Sequence, residues 1–343
     1  MALQTVRGSL TQEVIDQVVS RLRPRLKRVM ALLNGKGGTG KTTVTVNCGV
    51  TLADALVKAG STKRVLLLQL DQQGDLGLDL GIRYSDKDDD GLSILQCVTG
   101  AGPLKVARDV RPHLDVVTGG SELKSLSGFL KGSDKTSKTK ARLRFAQALA
   151  DMADDYEWIL LDCPPGDEEL QVLGLVACRW VLIPAQFDAA SRFGLEGVAG
   201  GFEEATPLNP DLELLGVLMF SFDRRDQKKL TSEGQVTGYR EVGQRARVRK
   251  RLVGDLERIG SDAPVFTAVI SNCRAVAEDC RETGRTASEV ADASANNDWR
   301  RSRTKAGLSA FSNDTAEALA VDYEDATVEI FGRAKELEAE DAA

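Results

Sequence analysis

Val29-Met30-Ala31-Leu32-Leu33-Asn34-Gly35-Lys36-Gly37-Gly38-Thr39-Gly40-Lys41-Thr42-Thr43 is the stretch that decides how this chain is read. An apolar run of buried-strand type stops at a glycine-rich loop, and the loop fits the phosphate-binding pattern G-x-x-x-x-G-K-[ST] from Gly35 to Thr42. Residues 44–58 continue as a helix. Gly37, Gly38 and Gly40 can take dihedrals closed to other residues and bring backbone N–H groups against phosphate oxygens, while the helix N-terminus adds partial positive charge. Lys41 is then placed to reach the β- and γ-phosphates of a nucleotide, and the Thr42 hydroxyl to ligate Mg²⁺. The bland alternative is a turn that merely joins strand to helix, and the strand–loop–helix order speaks against it.

Two further strands carry carboxylates at their ends. Residues 63–71, KRVLLLQLD, form a continuous apolar run of the kind found in strands covered on both faces, and the run ends at Asp71. If that strand reaches Asp71, then Gln69 and Asp71 share a face. Residues 157–166, EWILLDCPPG, deliver Asp162 to the C-terminal end of another strand, beside the crevice where an open parallel sheet binds its ligand. A carboxylate there can hold Mg²⁺ directly or through water.

The segment from Lys36 to Thr42, KGGTGKT, resembles the deviant Walker A motif of the ParA/MinD family of ATPases, closest in pattern to Soj-like ParA partition proteins. The resemblance implies that Lys36 reaches across a dimer interface to the partner's nucleotide, where physics alone would allow a solvated loop-tip lysine. Asp71-Gln72-Gln73-Gly74-Asp75 resembles the family's DxDPQGN motif, with Asp71 at the aspartate that helps position the attacking water and stands near the metal. Among this chain's departures from it, Gln69 replaces the first aspartate and Gln72 the proline. The DCPP at residues 162–165 looks like the family's Walker B. The implied catalytic set is Lys36, Lys41 and Asp71; the metal set is Thr42, Asp71 and Asp162; the nucleotide set is Gly35, Lys36, Gly37, Gly38, Thr39, Gly40, Lys41, Thr42, Thr43 and Arg224. Arg224 stands where relatives carry adenine-facing residues, whereas the loop from Ser271 replaces the family's proline-containing turn.

A chain of 343 residues can bury a large core, and 42% hydrophobic with 28% charged residues is ordinary for a globular protein. No apolar run approaches a membrane span, and the N-terminus lacks a secretory signal's apolar core, so a cytoplasmic protein is expected. Six cysteines without a C-x-x-C pair, and a single histidine, His113, exclude zinc-site spacing. A formal net charge of −6 leaves only a local patch for nucleic acid. Arg240, Arg245, Arg247, Arg249, Lys250 and Arg251 form such a cluster, either a solvated helix face or a set of phosphate contacts. Of these, Arg245, Arg247, Arg249 and Arg251 are the DNA-binding candidates.

Residues 1–28 hold an amphipathic helix, with Val14, Ile15, Val18, Val19 and Leu22 at helical spacing, that ends near Pro24 in a basic run. It either packs on the domain with a solvated basic end or contacts DNA or a partner. The polar tract from Lys131 to Lys140 reads as a mobile loop before a helix over 141–153. Residues 283–310 read as an inserted loop, and residues 313–343 as a closing helix, acidic near its end and unlike the basic amphipathic anchor of MinD-type proteins, so no membrane attachment is expected.

The alternation from residue 29 onward predicts an α/β fold: a doubly wound, mostly parallel sheet of the P-loop type, with a 1–28 extension and a 29–343 ATPase domain. The resemblance implies ATP and Mg²⁺ as cofactors, an ATP-bound homodimer, non-specific DNA, a ParB-like adaptor that stimulates slow hydrolysis, and a nucleoid-associated location. A low-turnover nucleotide switch that positions other cargo or regulates a partner complex is the alternative, motivated by Gln69.

Overall fold

The computed structural model describes residues 11–186, 191–222, 226–230, 236–241, 243–296, 299 and 311–341. Its strands are β1 (Val29–Leu32), β2 (Arg64–Gln69), β3 (Ala107–Arg111), β4 (Leu114–Val117), β5 (Tyr156–Asp162), β6 (Trp180–Ala185), β7 (Glu213–Phe222), β8 (Asp226–Leu230), β9 (Val236–Glu241) and β10 (Val265–Ser271). Eight of them form one sheet in the order β10-β7-β6-β1-β5-β2-β4-β3, and β8 and β9 pair separately as an antiparallel ribbon. Every pairing in the large sheet is parallel except β3 with β4. β1 sits between β5 and β6, with Leu32 level with Asp162 on one side and Leu182 on the other. The chain leaves β1 toward β2 on one flank and returns through β6 to the other, so the loop after β1 opens at the topological switch point, where doubly wound folds bind ligands.

The inner strands are mostly apolar because both faces are covered: β1 is buried at all four positions, and β2 at every position but its first. One helical layer contains α1 (Gln12–Leu22), α4 (Leu92–Thr99), α5 (Leu123–Gly132), α6 (Lys135–Met152), α7 (Glu168–Ala177), α8 (Ser191–Ala205) and α9 (Gly243–Arg258). The other contains α2 (Lys41–Lys58), α3 (Asp75–Asp79), α10 (Arg274–Thr283), α11 (Ala287–Ser294) and the C-terminal helix Asn313–Asp341.

Several sequence expectations change here. The strand after Lys63 stops at Gln69, so Asp71 lies in the following loop rather than on a shared strand face. The polar tract 131–140 is not a loop: α5 runs to Gly132, Asp134 accepts the N–H of Ser137 as an N-cap, and α6 begins at Lys135. Part of the supposed insertion is helical, since Thr286 and Glu289 form a reciprocal capping box at the start of α11 and Ala287, Val290 and Ala291 are buried. The edge strand β3 lacks the apolar run that marks the inner strands, because it is not covered on both faces: Arg108 and Asp109 are exposed. In the N-terminal segment α1 ends at Leu22 and buries Val18, Val19 and Leu22 in the main core. Its basic run turns inward in part: Arg23 donates to the Val176 carbonyl at 2.9 Å, Arg25 pairs with Asp154, and Arg28 with Glu157 and Glu338.

Candidate nucleotide site

The loop from Gly35 to Gly40 is held from below before any ligand is considered. Asn34, fully buried, donates Nδ2 to the Pro184 carbonyl of β6 at 2.8 Å and accepts the Lys36 N–H at 3.0 Å. Gln186 donates Nε2 to the Gly38 carbonyl at 2.6 Å. Gly38 and Gly40 have φ of 74° and 89°, in the left-handed region. Gly40 has a second reason to be glycine, because a Cβ there would stand 2.5 Å from the Phe220 ring of β7. α2 starts directly at Lys41, so its free backbone N–H groups face the loop.

Lys41 is only 5% exposed and donates Nζ to the Lys36 carbonyl at 3.2 Å. Burial lowers its pKa, opposed by the negative charges of Asp162 and Asp71. Thr42 Oγ1 donates to Asp162 Oδ2 at 2.7 Å, and Gln69 Nε2 donates to the same oxygen at 3.0 Å. Asp162 is fully buried, and burial pushes its carboxyl up to about 7 against the hydrogen bonds of Thr42 and Gln69 and the charge of Lys41. Asp71 accepts the Gln73 N–H at 2.9 Å, and burial raises its carboxyl too.

Asp162 Oδ1 is buried and has no hydrogen-bond donor among the described residues. A carboxylate oxygen of this kind beside a threonine hydroxyl is a donor set suited to Mg²⁺, which takes one or two carboxylates and completes its shell with phosphates and water. The described residues hold no cluster of three or more His, Cys, Asp or Glu that could hold a metal ion. Thr42 and Asp162 are the residues that would hold Mg²⁺.

A family model described as an AAA domain matches residues 27–214, more than half of the chain. The chromosome partitioning protein ParA of Caulobacter vibrioides (strain NA1000 / CB15N) is 33% identical over 202 residues, which are 58% of this chain and 71% of the relative. The chromosome-partitioning ATPase Soj of Thermus thermophilus is 32% identical over 222 residues, covering 64% and 78%. The chain belongs to the ParA/MinD family of P-loop ATPases. The septum site-determining protein MinD of Pyrococcus horikoshii, solved with Mg-ADP, shares the fold at a TM-score of 0.52 and 17% identity, covering 88% of this chain and 95% of that one.

The structure of this ParA/MinD member gathers Lys41, Thr42, Asp71 and Asp162 at one sheet edge. Lys36 and Thr43 are half-buried on the same loop and helix start, and Thr39 is buried. Arg224 lies outside the described residues. The four arginines proposed for DNA are on α9, which packs on β7 and β10, and they are not equivalent. Arg247 and Arg251 are exposed, and Arg245 is half-buried. Arg249 is half-buried and donates to the carbonyls of Val265 at 3.1 Å, Phe266 at 2.6 Å and Thr267 at 3.2 Å. Glu329 takes the N–H groups of Thr267 and Ala268 at 2.7 Å, so the irregular stretch of edge strand β10 is satisfied by side chains.

Sequence reasoning missed Asn34, Gln186 and Phe220 as supports of the loop. Asn34 had one signal, a polar residue closing an otherwise apolar strand; Gln186 and Phe220 had none, because their partners lie far away in the chain.

Proposed function

We propose that this chain is a Mg²⁺-dependent ATPase that dimerises on ATP, binds DNA without sequence preference in that state, and is reset by hydrolysis to segregate plasmid or chromosome DNA. The observation that carries the reading is the Thr42–Asp162 pair, with the second Asp162 oxygen left over beside buried Lys41 at the start of a helix. In this reading the backbone N–H groups of residues 37–42 bind the phosphates, and the Lys41 ammonium draws the charge that develops on the transferred group. Thr42 and Asp162 would hold Mg²⁺, which when bound would supply charge neutralisation to the phosphates. Asp71 would accept a hydrogen bond from the attacking water, and Lys36 would reach the partner's nucleotide.

Partition as the task is supported by the names of the ParA and Soj relatives. The same proposal includes a ParB-like adaptor, a nucleoid-associated location in the cytoplasm, adenine contact by Arg224, and residues 1–28 as an extension on a 29–343 ATPase domain. Among the described residues no helix is long and apolar enough to cross a membrane.

One observation favours a second reading, a low-turnover switch for non-DNA cargo or a partner complex: the neutral Gln69 where the family motif has a carboxylate. Steady-state ATPase with and without DNA, alongside DNA binding in ATP, separates the two. Turnover together with ATP-dependent DNA binding supports partition; ATP binding without either supports the switch.

A further inference from the structure

Two of the positions at which this chain departs from the family's DxDPQGN motif, Gln69 and Gln72, do something in common; the third is Asp75 in place of the asparagine. Gln69, with no exposed surface, donates Nε2 to Asp162 Oδ2 at 3.0 Å and accepts the Leu76 N–H on Oε1 at 3.3 Å. Its one side chain thus spans from the Walker B carboxylate to α3, beyond the loop that carries Asp71. Gln72, half-buried in that loop, donates Nε2 to Asp167 Oδ2 at 3.0 Å. Asp167 is itself fixed, since its other oxygen caps α7 by accepting the Leu170 N–H. An ionised aspartate at 69 could not donate to Asp162, and a proline at 72 has no side-chain donor, so neither amide link exists in the family's own motif.

We propose that Gln69 and Gln72 form an amide latch that holds the Asp71 loop against the Asp162–Asp167 segment before nucleotide binds. They are positioning residues: neither needs to touch a ligand, and they act through Asp71 and Asp162. Both links are hydrogen bonds to carboxylates, the stronger kind, and the first lies in the dry interior where such bonds are least exchanged with water. The Asp71 side chain ties back to its own loop, at the Gln73 N–H, and Leu70 at the loop's start donates its backbone N–H to the Asp162 carbonyl at 2.8 Å, so among the described residues the side-chain attachment of the loop to β5 and α7 is made by the two glutamines. The second departure compensates the first: a site that has lost one carboxylate gains a loop already set in place.

This inference rests on the ATPase reading only for its kinetic consequence, and its primary test does not. Amide hydrogen exchange over residues 71–76 of the nucleotide-free, Mg²⁺-free protein should rise about ten- to hundredfold in Gln72→Ala and further in Gln69→Leu/Gln72→Ala, while exchange in α6 stays unchanged. Gln72→Ala alters a half-buried loop residue and serves if the double variant does not fold. If exchange over 71–76 is the same in wild type and Gln72→Ala, the latch is overturned. With ATP and Mg²⁺, Gln72→Ala should lower kcat without changing KM, and Gln72→Asn, which keeps a donor, should restore part of the loss; a rise in KM at constant kcat would instead mean that Gln72 contacts the nucleotide and would overturn the positioning role. A wild type that neither binds nor hydrolyses ATP would sink the ATPase reading and leave the exchange result standing.

Discussion

Thr42 Oγ1 lies 2.7 Å from Asp162 Oδ2, joining the first turn of α2 to the last residue of β5 across 120 positions of sequence. The pair brings the loop after β1 and the end of β5 to one point, and it takes one oxygen of the Asp162 carboxylate while Oδ1 has no hydrogen-bond donor among the described residues.

The lysine beside this pair is the first residue to remove. Lys41→Ala should cost a charge-assisted phosphate contact of about 1.5–3 kcal/mol and weaken ATP binding by about one to two decades. Titration calorimetry checks it, and unchanged affinity would end the assignment of this loop to phosphate.

Lys36 tests the dimer. Lys36→Ala should still bind ATP through its own loop but lose the ATP-dependent dimer, as read by light scattering with a non-hydrolysable analogue. A variant that dimerises like wild type would remove the case for a lysine that crosses the interface.

For Asp71→Ala we expect a trapped ATP-bound state, because the phosphate contacts persist while the water loses its acceptor. Single-turnover hydrolysis should slow by about a hundredfold or more. Hydrolysis at the wild-type rate would reassign Asp71 to loop structure.

The α9 arginines should separate into two kinds. Arg249→Ala leaves the carbonyls of Val265, Phe266 and Thr267 without that donor and should destabilise the fold by about 1–3 kcal/mol in urea unfolding. Arg247→Ala and Arg251→Ala should change stability by less than about 0.5 kcal/mol. Together, however, they should weaken ATP-dependent DNA binding equally for unrelated sequences and lower the salt slope by about 1 for each DNA phosphate that is no longer neutralised. Electrophoretic shifts at several salt concentrations decide this; DNA binding untouched by the double variant moves the DNA surface off α9.

Asp115 gives a pH test remote from the nucleotide. It has no exposed surface and accepts from Arg64, Arg108, Tyr156 and the Asp109 N–H. Burial alone would raise its carboxyl, but these hydrogen bonds, Arg64 first, outweigh burial and hold it below the ordinary carboxylate value. A folded pKa below the unfolded one means a stabilising contribution that is complete above the unfolded pKa and lost as pH falls through the folded one. Asp115→Ala should therefore cost about 3–5 kcal/mol at neutral pH, and the gap to wild type should close in acid. A gap that stays constant into strong acid would show that the carboxylate's charge is not what stabilises this cluster.

The sequence by itself determined the P-loop, the parallel α/β sheet and the place of Asp162, because each is written in a short local pattern. Glycines that must turn, a lysine and threonine opening a helix, and apolar runs long enough to be covered on both faces need no knowledge of distant neighbours. Only the tertiary structure decided what Gln69 and Gln72 bond to, what Asn34 anchors, and why Arg249 differs from Arg247. Those answers are pairings between residues 93, 95, 150 and 16 to 18 positions apart, set by which strands the sheet lays side by side and which helix covers its edge. A glutamine or arginine has the same donors wherever it stands, so its role follows from the acceptor that packing brings within reach.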